Sequence, residues 1–191
     1  MRSVCVFCGS SSRARDVYFD AARRTGREIA RRGLRLVYGG ASIGLMGALA
    51  DAALDAGGVV VGVIPRALVD KELAHPRLSE QHVVESMHDR KALMSGLADA
   101  FLALPGGLGT LDELFESLTW AQLGLHAKPV GLLNVDGYFD DLLRFCDRAV
   151  ADGFLHPAHR AMILAGGEAG ALLDAMQVFV PAPAGEWWRR A

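Results

Sequence analysis

The chain is poor in the residues that staple a fold, anchor it in a membrane or attract a long polyanion. Its 191 residues hold three cysteines, Cys5, Cys8 and Cys146. An odd count, with no second Cys or His pair at metal-ligand spacing, argues against a disulfide framework and a metal site and predicts buried thiols in a reducing, cytoplasmic setting. No staple is needed, because a chain of this size can bury roughly 70% of its unfolded surface in one core. No stretch approaches the ~18 apolar residues of a membrane span. The N-terminal MRSVCVFCG turns polar at Gly9, too soon for a signal peptide. Basic and acidic residues nearly cancel, 20 against 22, and the net charge of −2 lacks the footprint of a nucleic-acid binder. Lysine is scarcest of the charged residues, confined to Lys71, Lys91 and Lys128.

Against these absences stand 22 glycines and an apolar content of 51%. Short apolar runs at 3–8, 34–38, 59–64, 82–85, 100–104 and 130–135 alternate with amphipathic stretches near 16–32, 44–56, 87–98, 109–123 and 138–151. That order predicts βα units around a parallel sheet. Most of the runs are apolar at nearly every position, which implies strands covered on both faces. The expected fold is therefore α/β, a Rossmann-like doubly wound sheet in a single domain over 1–180. A tail, 181–191, is loosely attached and carries Trp187 and Trp188. The charged stretch 65–81 is the longest irregular segment and a candidate lid.

In such sheets ligands bind beyond the carboxyl ends of the strands. Three of those ends are glycine-rich: Gly9 and Ser10 after the first strand, Gly39 and Gly40 after the second, and Gly106, Gly107, Leu108, Gly109 and Thr110 after the fifth. Glycine lets backbone N–H groups approach an anion, and a following helix N-terminus favours negative charge. No Lys follows Gly109, so this is not a Walker A loop, and the first loop lacks G-x-G-x-x-G. The phosphate implied is that of a mononucleotide or a sugar phosphate.

Beyond the fifth strand, helical periodicity puts Leu111, Leu114, Phe115 and Leu118 on a core face and Glu113, Glu116 and Trp120 opposite it. Asp112 suits a helix first turn. A carboxylate at Glu113, one turn past a phosphate cradle, stands about where a nucleotide's sugar would lie. On the preceding helix, Met87, Arg90, Lys91 and Met94 share one stripe, with Arg90 able to clamp phosphate or ribose. His88 reads equally well as a capping residue or a functional one.

The motifs PGGLGTLDE, from Pro105 to Glu113, and Met87-His88-Asp89-Arg90-Lys91 together resemble those of the LOG (LONELY GUY) family of cytokinin riboside 5′-monophosphate phosphoribohydrolases, often mislabelled lysine decarboxylases. The resemblance implies hydrolysis of the N-glycosidic bond of a nucleoside 5′-monophosphate, AMP included, by a Rossmann-like homodimer. It implies Arg90 and Glu113 as the catalytic pair, with Lys91, the stretch Gly107, Leu108, Gly109, Thr110, Leu111, Asp112 and Glu113, Thr119 and Glu72 at substrate-binding positions. The chain departs from the family pattern at Ala41 and Asp112. No metal-ligand set and no cofactor are expected. A pyridoxal-dependent decarboxylase would need a Schiff-base lysine. The alternative is a non-catalytic nucleotide carrier or sensor on the same fold. Trp120, outside the predicted core face, suggests a partner surface.

Overall fold

The structure, a computed structural model, describes residues 1–71 and 73–181. Seven parallel strands form one sheet: β1 (Ser3–Phe7), β2 (Arg35–Tyr38), β3 (Val60–Pro65), β4 (Glu80–Val84), β5 (Phe101–Ala103), β6 (Val130–Leu133) and β7 (Ile163–Gly166). Their order is β4-β3-β2-β1-β5-β6-β7. The chain winds outward from β1 to one edge and returns to the other side of β1 at β5. The doubly wound expectation holds, and the β1/β5 junction is the switch point where such sheets open a crevice.

Helices α1 (Asp16–Arg31), α2 (Gly44–Asp55), α4 (Met87–Leu97), α5 (Leu108–Gln122), α6 (Asp140–Ala151) and α8 (Ala169–Gln177), with the short turns α3 (Arg66–Val69) and α7 (Pro157–Arg160), cover the two faces. Central strands β1, β3, β5 and β6 are buried at every position, as their unbroken apolar runs require. Two apolar clusters result, one on each face: the first centres on Val4, Leu36, Leu49 and Leu102, the second on Val37, Val61, Phe101 and Leu114.

Four expectations are revised. Edge strand β4 alternates half-buried with exposed positions. The segment 65–81 is less irregular than expected: it holds α3 and the start of β4, and its His75 is 3% exposed, with its N–H donating to Gly40 O at 2.9 Å and its ring meeting Asp51 at 3.2 Å. On α5 the buried residues are Thr110, Glu113, Leu114 and Ser117, while Phe115 is exposed. Packing against α4 draws the polar stripe of α5 inward, against the hydrophobic count. Finally, β7 and α8 lie beyond the predicted elements: β7 is a half-buried edge strand of four residues on the apolar run 161–165, which was not among the strand expectations. Among the described residues no helix is long and apolar enough to cross a membrane. The expected tail lies, from residue 182 on, outside the described residues, as does Glu72.

Candidate active site

At the switch point the loops after β1 and β5 lock together. Gly9 N–H donates to Pro105 O at 3.1 Å, and Leu45 N–H donates to Gly9 O at 3.0 Å, which brings in the start of α2. A Cβ at Gly106 would overlap the Thr110 side chain and stand 2.8 Å from the Gly9 nitrogen. Only glycine permits this approach of the two loops. Above them opens a cavity of about 620 Å³. Cys8, Thr110, Arg90 and Glu113 form its buried part, and its more exposed lining includes Ser10, Gly106 and the apolar side chains of Met46, Leu68, Met87 and Leu108.

Arg90 and Glu113 form its chemical centre. Arg90 Nη1 donates to Glu113 Oε1 at 2.5 Å, and Arg90 Nε donates to Val63 O at 3.1 Å. Both residues are buried, at 7% and 8% exposure. Arg90 is delivered by α4, which begins at Ser86, whose hydroxyl caps the helix by accepting Asp89 N–H at 3.0 Å. Glu113 sits on the first turns of α5. Burial pushes the Glu113 carboxyl above the ordinary carboxylate range, and the Arg90 guanidinium opposes that rise. A buried carboxyl held by one arginine and raised in basicity is suited to act on a proton or on developing positive charge.

Gly39 makes the pair possible. A Cβ there would overlap Arg90 Nη2 and approach Met46 Sδ to 3.0 Å. Gly107 and Gly109 differ: a Cβ on either would meet nothing within 4 Å, and neither has positive φ. The protein itself does not demand glycine at these two positions, which leaves the open N-terminus of α5 bare for a ligand.

A profile of the family described as "Possible lysine decarboxylase" matches residues 46–176. Over 180 residues, the chain is 54% identical to a probable cytokinin riboside 5′-monophosphate phosphoribohydrolase, LOGL9, of Oryza sativa subsp. japonica, covering 94% of this chain and 79% of that one. It is 52% identical to the cytokinin riboside 5′-monophosphate phosphoribohydrolase LOG5 of Arabidopsis thaliana, with the same coverage. The chain belongs to the LOG family. A molybdenum cofactor carrier protein of Chlamydomonas reinhardtii shares its fold, with a TM-score of 0.69 at 22% identity over 92% of this chain and 96% of that one.

The expected site residues are distributed unevenly around the cavity. Ser10, Arg90, Gly106, Gly107, Leu108, Gly109, Thr110, Asp112 and Glu113 line it. Gly39 supports it from behind, and Gly40, in a left-handed turn at φ 76°, serves the tie to His75. Leu111 packs into the core. Lys91 faces away from the cavity, its Nζ donating to Asp112 at 3.0 Å and lying 3.1 Å from Glu116, and these two carboxylates raise its pKa against a burial that would lower it. Glu113, Glu116 and Trp120 do share a face, which looks onto Lys91. Thr119 is exposed and outside the cavity, its hydroxyl turned back to Phe115 O at 2.7 Å. None of the three lysines lines the cavity, so the family's description as a lysine decarboxylase finds no Schiff-base candidate there. Among the described residues no group of three or more His, Cys, Asp or Glu could hold a metal ion.

Cavity residues that the sequence did not single out include Arg13, Arg15, Tyr18 and Tyr138. The first three follow the Gly9 loop directly, so proximity to a strand end was the available signal. Tyr138 arrives from the turn after β6 and donates its hydroxyl to Gly106 O at 2.6 Å, a long-range contact with no local signature.

Proposed function

We propose that this protein hydrolyses the N-glycosidic bond of cytokinin riboside 5′-monophosphates, and of AMP, releasing the free base and ribose 5-phosphate. The observation that carries the reading is the buried Arg90–Glu113 pair on the floor of a glycine-lined cavity at the switch point. The names of relatives at 54% and 52% identity support it.

Cleavage of the bond builds positive charge on the ribose ring, and a carboxylate beside the sugar stabilises that state or takes a proton from the attacking water. Glu113 fills this role, its basicity raised by burial. Arg90 holds no removable proton at ordinary pH and so does not act as general acid. It orients Glu113 and holds the sugar while the bond breaks. The backbone of 107–110 receives the phosphate at the start of α5. Met46, Leu68, Met87 and Leu108 form an apolar rim suited to a base carrying a prenyl group.

The active unit in this reading is a homodimer in the cytoplasm. Leu123 and Leu125, just beyond α5, are 51% and 69% exposed, apolar side chains suited to a second copy. All three thiols are free and buried, as a reducing compartment allows.

The test is turnover of AMP and of isopentenyladenosine monophosphate, with chelator present to show that no metal is needed. Wild type releases free base, and Glu113→Gln abolishes release while still binding nucleotide. A wild-type protein that binds AMP but liberates no base over hours overturns the hydrolase reading and leaves the carrier.

A further inference from the structure

The charges lining the cavity are largely neutralised by one another. Arg90 faces Glu113 at 2.5 Å, and Asp112 is matched by Lys91 at 3.0 Å behind the wall. Neither pair offers a free positive charge to a phosphate dianion. Two lining cations remain, Arg13 and Arg15, both on the segment between β1 and α1.

Arg13 has no side-chain partner among the described residues. Arg15 pairs with Asp136, donates to the Tyr18 hydroxyl at 2.7 Å, and lies 4.9 Å from the centre of the Tyr18 ring. Tyr18 in turn packs edge-on against Tyr138, with ring centroids 5.5 Å apart, and Tyr138 donates to Gly106 O. A continuous chain of contacts thus connects Arg15 to the glycine loop that opens α5. The Arg15–Asp136 pair is exposed, 62% and 55% for the two side chains. Exposed pairs of this kind contribute little and exchange partners readily. Asp136 itself sits at φ 52°, a left-handed conformation that Asn also tolerates.

We propose that Arg15 is a phosphate-binding residue that leaves Asp136 for the 5′-phosphate of the substrate, with Arg13 beside it, and that this exchange makes the site prefer phosphorylated over unphosphorylated nucleosides. Asp136 holds Arg15 at the cavity mouth until substrate arrives. The planar guanidinium matches two phosphate oxygens at once, which the N–H groups at the start of α5 cannot do for the outward-facing oxygens. The proposal rests on the reading that this cavity binds a sugar phosphate and adds how it does so.

Ribose 5-phosphate, which carries no scissile base, is the probe that separates binding from chemistry. Calorimetry on wild type, Arg15→Ala and Asp136→Asn measures its affinity, and steady-state kinetics compares AMP with adenosine. Arg15→Ala weakens ribose 5-phosphate at least tenfold, the loss expected for a charge-assisted hydrogen bond, and lowers the AMP-to-adenosine ratio of kcat/KM by a similar factor. Asp136→Asn, which removes the competitor, tightens ribose 5-phosphate about threefold. The proposal is overturned if Arg15→Ala binds ribose 5-phosphate as wild type does. It is also overturned if Asp136→Asn weakens binding as much as Arg15→Ala, which marks the pair as a structural tie only. Arginine-dependent binding in a protein that releases no base sinks the hydrolase reading and leaves this one standing. Base release with unaltered Arg15→Ala affinity does the reverse.

Discussion

Gly39→Ala separates the proposed catalytic pair from the substrate, because Gly39 touches Arg90 and does not line the cavity. A Cβ at this position would overlap Arg90 Nη2 and stand 3.2 Å from Cζ, inside the 3.5–4.0 Å at which carbon atoms pack well. The guanidinium must withdraw by roughly an ångström. It cannot do so freely, since Nε is committed to Val63 O at 3.1 Å and Nη1 to Glu113 at 2.5 Å in a site 7% exposed. One of the two hydrogen bonds is lost or bent. Misplacement of a catalytic group by about 1 Å costs on the order of 100-fold in rate, and overpacking a filled site costs about 1–3 kcal/mol. For a chain of this length 2 kcal/mol lowers Tm by about 4–8 °C. The expected result is therefore a kcat near one hundredth of wild type, KM for the nucleotide changed by less than threefold, and a Tm lower by several degrees. Free-base release followed by chromatography gives the first two, and thermal unfolding the third. In a Glu113→Gln background the same substitution adds little further loss, because both act on one unit. A Gly39→Ala protein with kcat within threefold of wild type refutes the claim that the Arg90 position is fixed by the space at Gly39.

Further outcomes follow from the same geometry. Gly109→Ala adds a better helix former where a Cβ meets nothing, so Tm holds or rises while KM for the monophosphate climbs roughly tenfold as the methyl blocks the phosphate; a parallel loss of stability would show instead that the glycine serves the fold. With Glu113 pushed above the ordinary 4.5, kcat/KM falls on the acid side from a pH above that value, and an acid limb at or below 4.5 counts against Glu113 as the ionised catalyst. In the folded state this raised group binds a proton that the unfolded chain has already released, so between 4.5 and its raised pKa wild type gains stability relative to Glu113→Gln as pH falls, which chemical denaturation at several pH values detects. Tyr138→Phe removes the hydroxyl bond to Gly106 O and lowers kcat/KM by roughly threefold with the fold intact; no change would mean the loop after β5 holds itself.

Most of the frame was legible because its signals are local. Six mostly apolar runs separated by amphipathic stretches marked six of the seven strands and a doubly wound sheet, and the strand ends carried their glycines visibly. What sequence could not reveal depends on contacts between distant segments. Gly39 reads as a glycine of one of three cradle loops, yet its use is to admit the head of Arg90, 51 residues on in the numbering. The inward turn of the polar face of α5 was hidden because helical periodicity places acids outside unless a buried cation awaits them, and Arg90 and Lys91 come from another helix. Tyr138 and Asp136 reach the site from a turn after β6 whose position depends on the whole sheet order. β7 went unread for the opposite reason, its apolar run being short, half-buried and at the edge.

The arrangement of charge explains how a nearly neutral chain can serve a doubly negative substrate. Burying Glu113 alone would drive it to take up a proton, and burying Arg90 alone would leave an uncompensated cation, each at a cost of several kcal/mol. Buried as a pair they are tolerable, and the cost of desolvation is partly retained as the raised basicity of Glu113. A free buried cation at Arg90 would hold phosphate at the place where the sugar must lie. In the proposed reading Glu113 neutralises it, so the phosphate goes instead to the bare N-terminus of α5 and to the arginines at the mouth, and the glycosidic bond is left over the carboxylate. The near-cancellation of charge seen in the whole sequence is thus repeated in the cavity, where it sorts the two ends of one small anion.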